Sequence, residues 1–110
     1  MDSRLLTGTL DALILEVLSG HSSYGYEIVQ TVQDRSRGYF EITEGALYPA
    51  LHRLERQKLL ESFWKEIDGR ERKYYKLTPA GRKSLAAKKK EWHKFVAGVQ
   101  GLLGEANGLA

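Results

Sequence analysis

The chain has no cysteine, a single methionine and only two prolines among its 110 residues. Without cysteine there can be no disulfide framework, no thiolate metal site and no cysteine nucleophile. No run approaches the roughly 18 apolar residues that a membrane-spanning helix needs. The opening MDSRLLTGTLDALILEVL lacks the basic n-region and small-residue cleavage site of a signal peptide, and Asp11 and Glu16 interrupt its apolar positions. A cytoplasmic protein with no membrane partner is expected. His21, His52 and His93 are scattered, and neither an H-E-x-x-H pair, a phosphate-cradling glycine motif nor a nucleophile signature occurs. An enzyme is therefore not expected, nor a metal or other cofactor.

With 42% hydrophobic and 28% charged residues the composition suits one small soluble domain, whose thin core self-association would help. The net charge of +3 is modest but unevenly spread. Between Gly69 and Lys94 ten basic residues face only Glu71 and Glu91, a local excess of +8. Such a run is either a solvated face or a surface for a polyanion.

Along the chain, Leu10, Leu13, Ile14, Val17 and Leu18 recur at helical spacing, and Gly20 is expected to end that helix in a left-handed turn. A second helix should start after Ser22 or Ser23, either of which can cap it, and bury Tyr24, Ile28 and Val32. SRGYFEIT connects, with Gly38 as breaker and Tyr39, Phe40 and Ile42 as anchors. A third helix follows Thr43, its natural N-cap. LLESFWKEI and ERKYYKLT then read as two strands joined by Asp68-Gly69, a pair that tolerates the positive φ angles of a type I′ hairpin turn. Thr78 and Pro79 open a long last helix, with Pro79 at the first helical position, where a missing N–H is harmless.

The order helix, helix, helix, hairpin, long helix predicts an α+β, mostly helical chain. Residues 1–78 would form a winged helix-turn-helix unit, and 79–110 a C-terminal dimerisation helix with a frayed Gly/Ala-rich tail.

The third helix, EGALYPALHRLERQKLL, carries Gly45 and Pro49 in its first turns, which cost about 1 and 3 kcal/mol relative to alanine in a helix interior. On a helical wheel Leu47, Leu51 and Leu54 form the inward stripe. Gly45, Pro49, His52 and Arg56 lie opposite, flanked by Tyr48 and Arg53. A helix that reads the DNA major groove does so with its N-terminal residues, where bulk is a liability. Gly45 would allow close backbone approach, Pro49 could meet a thymine methyl, and Tyr48, His52, Arg53 and Arg56 can donate to phosphates or bases. The alternative is that Gly45 and Pro49 only shape a helix start. Around the Asp68-Gly69 turn, Lys65, Arg70, Arg72 and Lys73 make a basic tip that either lies on DNA or keeps a strand edge soluble.

In the last helix Leu85, Trp92 and Val99 repeat every seven residues, Val96 and Leu103 interleave, and Phe95 and Leu102 widen the seam. Two heptads do not make a stable isolated coiled coil. The seam is expected to pair with a twin, most directly with Leu10 and Leu13 of the twin's first helix.

GTLDALILEVL, SSYGYEIVQ, EGALYPALHRLERQKLLES and GRERKYYKLTPAG closely resemble the PadR family of bacterial transcriptional regulators, and the length resembles its small subfamily with one C-terminal helix. The resemblance implies a homodimeric repressor of the bacterial nucleoid that binds an inverted-repeat DNA operator. Such a repressor lets go on sensing a small molecule or stress. It also implies DNA contacts from Tyr48, from the start of the third helix at Thr43, Glu44 and Gly45, from the wing cations, and from Ser23 and Tyr24 near the phosphate backbone. In some small members a tryptophan of the last helix stacks flat aromatic ligands. By that likeness Trp92, with Val96 and Val99, would take a planar aromatic or phenolic effector, or else only pack the dimer core. A winged helix used purely for protein docking, without specific DNA binding, is the rival reading. Gln57-Lys58 departs from the family's usual polar-then-glycine pattern, so this helix end should be capped differently.

Overall fold

The computed structural model describes residues 9–104 and is α+β, with helices α1 (Leu10–Gly20), α2 (Gly25–Arg35), α3 (Glu44–Arg56) and α4 (Pro79–Leu103). Strands β1 (Ser23–Tyr24), β2 (Leu60–Ile67) and β3 (Arg70–Leu77) form one antiparallel sheet in the order β1-β3-β2. The frayed tail expected at the C-terminus lies, from 105 on, outside the described residues.

Each helix is where its periodicity puts it. Thr43 caps α3 by accepting from the Ala46 amide at 3.2 Å, and Thr78 caps α4 by accepting from the Gly81 amide at 3.0 Å. The hairpin turns at Asp68 (φ 53°) and Gly69 (φ 76°), both left-handed as a type I′ turn requires. Ile14, Leu15 and Leu18 of α1, Ile28 of α2 and Leu47, Leu51 and Leu54 of α3 are almost wholly removed from solvent and pack with Leu60, Tyr75 and Leu77 of the sheet. Leu85 extends that core into the first half of α4. The rest of α4 runs on past the core, and the molecule measures 55 × 28 × 22 Å.

Four details differ from the sequence reading. Gly20 is the last residue of α1, but the chain leaves through an extended His21 (φ −168°) rather than a left-handed turn. Ser22 and Ser23 do not cap α2. Ser23 and Tyr24 instead pair with Tyr75 and Tyr74, and the helix begins at Gly25, where the Glu27 carboxylate accepts from the Tyr24 amide at 3.4 Å. Tyr39 is exposed, leaving Phe40 and Ile42 to hold the connector. Leu10, expected at a dimer interface, is buried in the chain's own core.

α1 is tied electrostatically to the three other helices. Glu16 accepts from Lys89 of α4 at 2.8 Å and lies 4.0 Å from Arg35 of α2. The Lys89 ammonium, more than any other neighbour, holds the Glu16 carboxyl below the usual glutamate range. Asp11 accepts from Arg53 of α3 at 2.5 Å.

The C-terminus of α3 is closed by a left-handed Lys58 (φ 62°), with the Leu59 amide donating to the Leu54 carbonyl at 3.0 Å and Lys58 N–H to Glu55 at 2.9 Å. A side chain at such an angle is strained, and glycine is not. Lys58→Gly should therefore raise stability by about 1 kcal/mol in a denaturant titration, with the m-value unchanged.

Candidate nucleic-acid interface

The outward face of α3 exists because its inward face is committed. Leu47, Leu51 and Leu54 show no exposure, which turns Gly45, Pro49, His52 and Arg56 to solvent. Thr43 and Glu44 sit exposed at the helix start. His52, Glu55 and Arg56 line a shallow open depression along the same helix.

Tyr48 sits between the two worlds. It is 40% exposed, yet its ring lies over α2 at Gly25: a Cβ there would come within 2.6 Å of the Tyr48 hydroxyl and 3.1 Å of the ring carbon that bears it. Gly25 thus makes room for Tyr48, and through it α2 sets where Tyr48 points. The buried Tyr75 hydroxyl beneath is kept protonated above the ordinary tyrosine range, by burial first and then by Glu55 and Tyr48.

Two expected DNA ligands are otherwise engaged. Ser23 is fully buried in β1, with its Oγ 3.2 Å from His21 Nδ1, so it cannot reach a phosphate. Arg53 is half-buried and ion-paired with Asp11, which raises its pKa above the ordinary arginine value. It anchors α3 to α1 rather than extending from the outward face.

The wing carries its cations on an aromatic ladder. Phe63 stacks on Tyr74 at 5.7 Å, and Tyr24 meets Tyr74 edge-on at 5.4 Å. The Arg72 guanidinium lies 4.4 Å over the Tyr24 ring and the Lys65 ammonium 5.4 Å over Tyr74. Stacking of this kind fixes a cation's position without neutralising it. Burial is the main cause that keeps Tyr74 protonated above its ordinary range. Lys73 turns to the other face, 3.9 Å from Glu55 of α3, whose second oxygen accepts from Ser62 at 2.6 Å. Arg70, at the tip, is exposed. Thr43, Glu44, Gly45, Tyr48, Pro49, His52 and Arg56 therefore share one helix face, with Tyr24, Arg72 and Arg70 on the neighbouring wing.

The interlocking of Gly25 with Tyr48 is the feature that sequence reading missed. The YGY at a helix start hints at a close approach there, but not at its partner.

On α4 the expected seam is bare. Trp92 is 50% exposed, Phe95, Val99, Leu102 and Leu103 are exposed and Val96 is half-buried. Trp92 and Phe95 stack at 5.8 Å. Among the described residues there is no cluster of His, Asp and Glu able to hold a metal, and no helix long and apolar enough to cross a membrane.

Comparison with known proteins agrees with this fold. The family model for the transcriptional regulator PadR-like family matches residues 14–87. An uncharacterized protein of Lysinibacillus sphaericus is 37% identical over 91 residues, covering 82% of this chain and 84% of that one. Transcriptional regulator Rv3488 of Mycobacterium tuberculosis is 41% identical over 69 residues, 63% of this chain and 64% of its own. Among solved structures, a transcriptional regulator from Clostridium thermocellum superposes with a TM-score of 0.85 at 31% identity, over 91% of this chain and 98% of that one. A PadR family transcription regulator from Clostridium difficile gives 0.77 at 38% identity, over 87% and 99%.

The close approach of Tyr48 to Gly25 can be measured. Gly25→Ala should lower stability by about 1 kcal/mol, and should cost less in a Tyr48→Phe background, where the nearest opposing atom is gone. A double-mutant cycle by denaturant titration should give a coupling of at least about 0.5 kcal/mol.

Proposed function

Because the chain belongs to the PadR-like family of transcriptional regulators, we propose that it acts in the bacterial cytoplasm as a homodimeric repressor that binds an inverted-repeat operator and responds to a small molecule. The observation that carries DNA recognition is the outward face of α3. A helix start stripped of bulk by Gly45 and Pro49 stands beside exposed His52 and Arg56, with a cationic wing next to it. α3 enters the major groove, and the wing lies along the adjacent backbone or minor groove. Glu44, Tyr48, His52 and Arg56 face the bases, while Thr43, Tyr24, Arg70 and Arg72 position the protein on phosphates. The decisive experiment is selection from a random duplex library followed by gel-shift titration. Enrichment of a twofold-symmetric site supports the reading, and retention of no sequence overturns it.

The wing's part is electrostatic. Replacing Arg70 and Arg72 by alanine should weaken binding to all duplexes and flatten the slope of log K against log salt by about 0.9 for each phosphate no longer neutralised. A docking module for proteins would show no such slope.

The bare face of α4 supports the dimer. Trp92, Phe95, Val99, Leu102 and Leu103 together form an apolar stripe that no other described residue covers, and a stripe of that kind seeks a partner surface. Leu13 of the twin's α1, half-buried here, remains available to it, whereas Leu10 does not. Trp92, with Val96 and Val99, would then lie at the dimer seam, where a planar aromatic effector can stack on it. The last residue of the core is Leu85, so truncation after Lys90 leaves the folded domain intact. The truncated chain should melt cooperatively but sediment as a monomer and lose tight operator binding. A dimeric truncated chain would move the interface elsewhere.

A further inference from the structure

Pro49 lies inside α3, five residues beyond its first helical position, Glu44. Proline has no N–H, so the i to i−4 hydrogen bond that would end on the Gly45 carbonyl cannot form, and the pyrrolidine ring pushes that carbonyl away from the helix axis. Residue 45 and residue 49 are both exposed. Gly45 itself has no side chain to cover the backbone there. The Gly45 carbonyl thus lacks its helical donor and belongs to the exposed face of α3 that carries Tyr48 and His52.

The rest of that face is rich in donors. Arg56, the Tyr48 hydroxyl and the exposed His52 suit the acceptors of guanine and thymine, O6, N7 and O4. The exocyclic amino groups of cytosine and adenine need an acceptor instead. Glu55 cannot serve, since it is occupied by Ser62 and Lys73. At the reading end of the helix the Glu44 carboxylate and the Gly45 carbonyl are pure acceptors, whereas Thr43, Tyr48 and His52 can also donate. Resting on the DNA-binding reading above, we propose that the Gly45 carbonyl, freed by Pro49, accepts a hydrogen bond from the N4 amino group of a cytosine or the N6 amino group of an adenine in each half-site. On this proposal Pro49 is a positioning residue for specificity: it keeps the helix from consuming the acceptor that reads the base.

The test crosses a protein change with a base change. From the duplex selected by the full-length wild type, each cytosine or adenine of the half-site is replaced in turn by its analogue lacking the amino group, and affinity is measured by gel shift. For the wild type one such deletion should weaken binding about three- to tenfold, as expected for a single hydrogen bond. Pro49→Ala restores the N–H, so it should melt at a higher temperature, bind the unmodified duplex more weakly, and be indifferent to the same deletion. Glu44→Ala should keep the wild-type sensitivity. Indifference of the wild type to every deletion overturns the proposal, as does equal sensitivity in Pro49→Ala. Disappearance of the sensitivity in Glu44→Ala would assign the hydrogen bond to the carboxylate and overturn it as well. Failure of the wild type to select any sequence removes the DNA-binding reading itself, and the base recognition with it; a selected site without the base effect removes only the Gly45 hydrogen bond.

Discussion

Leu47, Leu51 and Leu54 carry a helix that would not otherwise form. Burying a leucine completely contributes about 1.5–3 kcal/mol, so the row outweighs the roughly 4 kcal/mol that Gly45 and Pro49 cost together. All three leucines are fully enclosed by α1, α2 and the sheet. Because that side is so firmly seated, the other side of α3 is free to hold residues chosen for something other than helix stability. The arrangement of the outward face, its open depression and its neighbouring wing all follow from which side of α3 is buried.

The same division of labour recurs in the sheet. One face of the hairpin supplies Leu60, Tyr75 and Leu77 to the core, while the other stacks Phe63, Tyr74 and Tyr24 into a ladder on which Arg72 and Lys65 rest. Aromatic rings are therefore used twice in consecutive positions, Tyr75 inward and Tyr74 outward, as the alternation of a strand dictates. The short β1 completes the ladder by bringing Tyr24 alongside.

What could be read from the sequence was whatever rested on local rules. The leucine stripe, the threonine caps at Thr43 and Thr78, the Asp68-Gly69 turn and the order of helices and hairpin are all set within a few residues of themselves. What could not be read depended on partners far along the chain. Ser23 looks like a helix cap until Tyr75 claims it as a strand partner 52 residues on. Arg53 looks like a free cation until Asp11, 42 residues earlier, takes it. Leu10 fits an intermolecular seam as well as a core, and only the packed structure decides between them. Lys58 is the intermediate case: the departure from glycine was visible, but not that the backbone would keep the left-handed angle regardless.

Gly81, in the first turn of α4, is buried so tightly that a single methyl group there would overlap the Leu59 carbonyl. The Thr78 hydroxyl, donating to the Lys58 carbonyl at 2.7 Å, fastens the same spot. At about 1.5 Å per residue the 25 residues of α4 form an arm roughly 37 Å long, so a tilt of about 10° at its root swings its tip by about 6 Å. The joint thus has leverage over the far end of α4, shared with Leu85 in the core and the Lys89–Glu16 pair further along. Small changes of packing at Gly81 translate into displacements of several ångströms at the far end of α4, so the aim of the arm is set in part at its root.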